Sequence, residues 1–442
     1  MRIINTIKLS FMAYKKQLFF IFTLLSVNVF GQEVFRDTLK ITLRQADSIF
    51  IQQNLTLLSE KYNIDASKAQ IIQAGLFKNI TISANQNVIN TAYNTNGGRK
   101  WFDYTNNGET SVQLQKLFLL AGKRNKQIKL AELTAGKEEQ IYFDLLRTLK
   151  FSLRNDFYTI YYLKQIINVY DKEIASMSSL IKAYQGQFDK GYISKKELLR
   201  LKSSIFTLEN EKIGISFQII SSQTDFNVLM NTSNIYYSTL PDTSSLNKLT
   251  PENLKLQALI DTAYQHRYDL KIAKSDLNIS QMNLSFQKAL AVPDLTLSVG
   301  WDRNGSYVHN YNFIGAQMDL PFFNRNQGNI KAAKSIIQSN KVKFQGAENQ
   351  LKADVISAYA NAMEINSLYN KFDNKFVSEL EVLNEELLKN FEKKNIGLIE
   401  FLGYYDAYKQ NAVQLNNLLY KRINAFENIN FSIGKDIITN LK

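Results

Sequence analysis

The chain has 442 residues, 45% of them hydrophobic, a formal net charge of +13 and no cysteine. Only 21% of residues are charged and only 4 are proline, which excludes a disordered composition and suits long unbroken helices, since a proline inside a helix removes a hydrogen bond and clashes with the preceding turn. Without cysteine there is no disulfide, no thiolate metal site and no lipid-modified cysteine anchor.

At the N-terminus, Lys15 and Lys16 precede an apolar run from Leu18 to Phe30, closed by Val29-Phe30-Gly31. Basic residues followed by a short apolar run and a small residue read as a secretory signal over residues 1–31. No later apolar run reaches the roughly 18 residues that a transmembrane helix needs. If the exported chain crosses a membrane, it does so as β-strands.

The rest is a duplication, with copies over residues 32–240 and 241–442. Asp47-Ser48-Ile49-Phe50 matches Asp261-Thr262-Ala263-Tyr264, and Phe77 to Ser83 matches Val292 to Ser298. Downstream, Phe188 to Ile193 matches Phe391 to Ile396, and Glu197-Leu198-Leu199 matches Glu400-Phe401-Leu402. A Ser-, Thr- and Asn-rich stretch from Asn231 to Pro251 reads as the linker.

Each copy opens with a helix (Leu43 to Leu76, Pro251 to Ala291), passes through two β-like runs and ends in two long helices. In copy one these run from Lys123 to Gln187 and from Ser194 to Met230. In copy two they run from Gly328 to Asn390 and from Leu398 to Phe431. At 1.5 Å per residue the first is on the order of 95 Å long. Ile160, Leu163, Ile167, Tyr170, Ile174, Met177, Ile181, Tyr184 and Phe188 alternate spacings of three and four, a heptad seam. Leu198, Leu201, Ile205, Leu208, Ile215 and Ile219 continue it after the turn, with Lys212 interrupting. In copy two, Tyr369, Phe372, Phe376, Leu380, Leu383, Leu387 and Phe391 follow a longer period, which resists left-handed supercoiling.

The β-like runs alternate: Leu295 to Trp301, Ile80 to Asn85, Ile314 to Leu320 and, more weakly, Val112 to Gln115. Alternation places one face in apolar and the other in polar surroundings. Tyr93, Trp101, Phe102, Tyr104, Trp301, Tyr307, Tyr311 and Phe313 cluster near the hairpin ends like an interfacial girdle, around turns at Asn94 to Gly98 and Asp302 to Gly305. Four strands cannot close a membrane barrel, and an open edge in lipid leaves backbone groups unsatisfied. The chains must therefore pool their strands; three chains would supply twelve.

No catalytic constellation accompanies these features. The two histidines, His266 and His309, have no second ligand at metal-binding spacing. There is no phosphate-binding glycine loop and no Gly-x-Ser-x-Gly elbow. The basic residues are spread along helices rather than interleaved with aromatics, so nucleic acid is not an expected partner. The expectation is a non-enzyme without cofactor or metal.

Leu43-Arg44-Gln45-Ala46 with Asn54-Leu55, the Ile80-Thr81-Ile82-Ser83 strand, Gln115-Lys116-Leu117-Phe118 before Gly122-Lys123-Arg124, and Leu320 to Gly328 before Ile330-Lys331-Ala332-Ala333 together resemble the TolC-like outer-membrane efflux proteins. The last stretch looks most like the metal- and drug-efflux subgroup. The resemblance implies a mainly α fold with a small β part: tandem long helical hairpins in a trimeric periplasmic tunnel, and four strands per chain in a 12-stranded outer-membrane barrel. It implies a homotrimer in outer-membrane lipid that docks to a periplasmic adaptor and an inner-membrane pump. It places adaptor docking at the helix-turn tips, Gly191, Tyr192 and Ile193 in copy one and Lys394, Asn395 and Ile396 in copy two. Copy two lacks the family's tip glycine, and Asn395 is the expected left-handed residue there. The resemblance further puts acidic residues near the tunnel mouth, where Glu197 and Glu400 fall as a candidate aperture ring. The residues leave two other readings open: an exported structural coiled-coil protein of the envelope, and the outer-membrane duct of a type I protein secretion system.

Overall fold

A computed structural model describes residues 37–86, 109–242, 251–303, 308–372, 379, 382–383, 386–391, 393 and 395–437. The signal segment 1–31, the turns expected at Asn94 to Gly98 and at Asn304 and Gly305, and the residues Tyr93, Trp101, Phe102, Tyr104, Tyr307, Phe376, Leu380 and Lys394 lie outside them.

Copy one runs β1 (Asp37–Thr42), α1 (Leu43–Gln53), α2 (Leu55–Gly75), β2 (Thr81–Gln86), β3 (Thr110–Phe118), α3 (Lys123–Asp189) and α4 (Lys195–Met230). The same order repeats from β4 (Ile235–Leu240), which lies just before the copy boundary expected at residue 241, through α5 (Leu256–His266), α6 (Tyr268–Leu290), β5 (Leu295–Asp302), β6 (Tyr311–Met318), α7 (Gln327–Lys371) and α8 (Leu398–Ile433). The duplication thus extends further than the sequence matches.

The expected linker contains a strand. β4 stands in the second repeat where β1 stands in the first, and the two pair in parallel from Asp37↔Ile235 to Thr42↔Leu240. The Gln223 side chain holds β4 from its other side, with Nε2 donating to Tyr237 O at 2.7 Å and Oε1 accepting from Tyr237 N at 2.9 Å. Tyr237 is fully buried beside Phe226.

The expected opening helices are each broken in two. Asn54 (φ −62°, ψ 119°) and Arg267 (φ −70°, ψ 123°) are extended. Asn54 caps α2 by accepting from Leu57 N at 2.9 Å and donates to Leu229 O at 2.9 Å, the work a short amide does better at a cap than inside a helix. At the equivalent hinge Arg267 is buried, bonded to Asp269 and Asp354. Gly434 closes against this hinge at φ +72°, where an added Cβ would lie 3.1 Å from the His266 carbonyl carbon.

α3 is one unbroken helix of 67 residues, about 100 Å long. It buries two stripes rather than the single expected seam. Ile160, Leu163, Tyr170 and Met177 are buried as expected, but so are Ile166, Glu173 and Leu180, because α3 packs between α4 and α8 and each neighbour needs its own stripe. In copy two α7 ends at Lys371, with Phe372 extended (φ −96°, ψ 108°), and the described residues 379, 382–383 and 386–391 are helical again, so the helix expected to Asn390 is interrupted at Phe372 rather than continuous. Asn370 stands two residues before that point, and an asparagine side chain competes for backbone groups and weakens a helix.

All four remaining strands form one antiparallel sheet, ordered β2-β3-β5-β6. Residues opposite one another in the register share a face. Ile82, Leu114, Val299 and Ile314 form one apolar row, and Phe118, Leu295 and Met318 another on the same face. The reverse face carries the row Thr81, Gln115, Ser298, Gly315 and the row Ser83, Gln113, Gly300, Phe313. Copy one joins copy two through β3 and β5, and the outer edges of β2 and β6 are unpaired among the described residues.

Candidate docking tips and tunnel aperture

The end of α3 turns tightly into α4. Gly191 takes φ +76°, its N–H bonds Phe188 O at 2.8 Å, and Tyr192 N bonds Gln187 O at 2.9 Å. This paired closure is the left-handed helix stop that glycine makes cheaply. Tyr192 is 76% exposed, and nothing lies within 4 Å of a Cβ built on Gly191.

In copy two, Asn395 N bonds Asn390 O at 2.9 Å, and Asn395 Nδ2 bonds Asn390 Oδ1 at 3.1 Å. Asn395 therefore stands where Tyr192 stands in copy one, and the position equivalent to Gly191 is Lys394, outside the described residues. Ile396 packs partly buried against the core of the tip, while Ile193 is half-buried.

The two tips are joined by a ladder of rings. Tyr184 stacks on Phe391 (5.5 Å, 10°), Phe391 on Phe401 (4.3 Å, 13°), and Phe401 leans on Tyr405 at 5.2 Å. Tyr405 donates to the Glu173 backbone oxygen at 2.8 Å, and burial raises its hydroxyl pKa above the usual tyrosine range, with Glu173 adding to the effect. One turn along α8, buried Lys409 binds Glu211 of α4 at 2.8 Å and Asp406 at 3.0 Å. Lys212, the interruption in the expected α4 seam, pairs with Asp171 at 2.5 Å.

The two candidate aperture carboxylates are not alike. Glu197 closes a capping box at the start of α4: its Oε2 accepts from Ser194 N and from Ser194 Oγ, both at 2.9 Å, and Ser194 Oγ accepts from Glu197 N at 3.3 Å. Those bonds hold its carboxyl below the usual range. Glu400 sits in the first turn of α8 behind Gly397, which gives no side-chain cap. It is exposed and makes no ion pair among the described residues. Lys190, Lys195, Lys196, Arg200, Lys389 and Lys393 surround the tips and are exposed.

Sequence reading missed one buried cluster. Arg154 of α3 binds Glu427 at 3.0 Å, Asp47 at 2.8 Å and Asp436 at 3.1 Å. Burial opposes its charge, but the three carboxylates outweigh burial and hold it protonated. The cluster ties α1, α3, α8 and the segment after α8 together. Its members are scattered in sequence, so no local spacing announces it. His266 lies at the end of α5, where burial and then Lys435 and Lys271 lower its pKa. Among the described residues no group of three or more His, Asp or Glu is placed to hold a metal ion, and no helix is long and apolar enough to cross a membrane.

No protein-family model and no curated protein sequence matches the chain. Solved structures do. CusC, described in the context of transmembrane channel formation, superposes with a TM-score of 0.73 at 14% identity over 93% of this chain and 95% of its own. The CmeC outer membrane channel of Campylobacter jejuni gives 0.71 at 12% identity over 89% of this chain and 85% of its own. The outer membrane protein VceC of Vibrio cholerae gives 0.69 at 16% identity over 89% and 96%. At such identities the likeness speaks for architecture, and it agrees with the resemblance in the sequence: this chain has the fold of the TolC-like outer-membrane efflux channels.

Proposed function

We propose that the chain is one protomer of a homotrimeric outer-membrane exit duct, a passive channel that docks to a periplasmic adaptor and an inner-membrane pump and exports small molecules or metal ions. The observation that carries this reading is the four-stranded sheet, apolar on one face and mostly polar on the other, with both outer edges open among the described residues. Such a sheet is stable in lipid only when further copies pair its edges and close a barrel. An exposed apolar stripe on α4 supports the same conclusion: Leu199, Phe206, Ile213 and Ile220, seven residues apart, face outward in a single chain. A soluble coiled-coil protein of the envelope would have no use for the amphipathic sheet. The pump, not the duct, selects the substrate, and adaptor docking is assigned to the tips around Gly191, Tyr192, Ile193, Lys394, Asn395 and Ile396.

Envelope fractionation with gel electrophoresis tests the proposal. The expected result is an outer-membrane protein running as a trimer until heated. A soluble periplasmic monomer would overturn it.

A further inference from the structure

The foot of the sheet carries a second feature, whose interpretation rests on the membrane reading above. Phe77, 72% exposed, joins α2 to β2. Two cations lie over its ring: the Arg124 guanidinium, 4.1 Å from the centroid, and the Lys116 ammonium at 5.9 Å. Lys116 belongs to the apolar face of the sheet, in the row with Leu297 and Ala316, two positions from Phe118. It is the one cation on that face of the described strands, and it sits at the end nearest the helices.

The protein groups that hold these cations are carbonyls. Lys116 Nζ donates to Lys78 O at 2.6 Å, Lys126 Nζ to Ala121 O at 2.7 Å, and Arg124 Nε and Nη2 both to Gly75 O. A carbonyl satisfies an N–H but removes no charge. Among the described residues, Lys78, Lys116, Arg124 and Lys126 have no carboxylate partner. The contrast with Lys123 is sharp: it sits at the same level, is buried, and is neutralised by Asp294 at 2.6 Å. Leu76, Ile80 and Ile82, which flank Lys78 in the chain, are exposed. This is the level at which a barrel meets lipid headgroups, where aromatic rings and basic side chains anchor.

We propose that Lys78, Lys116, Arg124 and Lys126 bind the headgroup of an anionic phospholipid, with its acyl chains lying along Ile80, Ile82 and Leu114. Phe77 fixes the plane of the guanidinium. The two bonds to Gly75 O leave Arg124 Nη1 for a phosphate oxygen, a geometry that arginine suits. Lys116 reaches the same phosphate from the sheet, and Lys78 and Lys126 complete the positive field.

The experiment places the purified full-length chain in vesicles of phosphatidylcholine containing phosphatidylglycerol and reads, with spin-labelled forms of each lipid, which one the protein surface holds preferentially. The expected result is an enrichment of phosphatidylglycerol of about three- to ten-fold. The combined Lys78→Gln, Lys116→Gln and Arg124→Gln variant should bring the ratio close to one. The charge-preserving Lys116→Arg, Arg124→Lys variant should retain most of the enrichment, which guards against a folding defect. A control that loses the same charge elsewhere, Lys172→Gln, Lys371→Gln and Lys421→Gln, should match the unaltered chain. No preference in the unaltered chain, or an equal loss in the control, would overturn the site while leaving the duct intact. Failure to insert in vesicles of either composition would instead overturn the membrane reading itself.

Discussion

The Tyr405 hydroxyl donates to the Glu173 backbone oxygen across 2.8 Å, joining α8 of the second copy to the last third of α3 in the first. A side chain reaching a helix carbonyl is an added bond, since that carbonyl already serves the helix ladder. Tyr405→Phe keeps the packing against Phe401 and removes only the hydroxyl. Stability should fall by about 1 kcal/mol, read as a lowered denaturation midpoint with unchanged helix content. A fall comparable to a core truncation would mean that the hydroxyl organises more than this bond.

Gly191 tests the turn. Its φ of +76° disfavours any side chain, yet the space around it is open. Gly191→Ala should therefore cost about 1 kcal/mol through backbone strain alone. Amide exchange at Tyr192 should quicken by about five-fold, with the rest of the chain unaffected.

The carboxylates at the tips should separate. Glu197→Ala removes the capping box and should destabilise the start of α4 by about 1 kcal/mol, with little effect on ion flow. Glu400→Ala touches no described partner and should leave stability unchanged. If Glu400 lines an aperture, that variant raises single-channel conductance or weakens block by divalent cations. Unchanged conductance and block would return Glu400 to the solvated surface.

Asp156 on α3 gives a pH-dependent prediction. Burial, and then the nearby Asp225, push its carboxyl up to about 7. The folded pKa lies above the unfolded value, near 3.9, so folding binds this proton more tightly than the open chain does. The benefit is full below about pH 4 and is lost as pH rises through about 7. Asp156→Asn should therefore stabilise the protein at pH 8 by about 1–3 kcal/mol relative to the original chain. The difference should vanish near pH 4. Denaturation midpoints of both proteins at the two pH values decide it.

Much of this architecture is legible in the sequence because the duplication supplies it twice. The alternation of Leu295 to Trp301 gave β5, and the heptad spacing from Ile160 to Tyr184 gave the packing face of α3. What escaped depends on distant partners. β4 reads as a polar linker because Tyr237 is satisfied by Gln223 and by β1, which no local pattern reveals. The breaks at Asn54 and Arg267 hide inside helical spacing, since a single extended residue scarcely alters periodicity. The second buried stripe of α3 includes Glu173, which no hydrophobic pattern would select. At the second tip, the tolerance of asparagine for left-handed backbone made Asn395 the candidate for the turn, whereas its N–H bond to Asn390 O gives it the place of Tyr192.

The central claim is that copies of this chain pool their strands into one closed barrel. Conductance of the purified chain across a planar bilayer tests it most directly. The account predicts long-lived channel openings from a particle containing three chains. Openings absent at any protein concentration, or carried by a single chain, would contradict it.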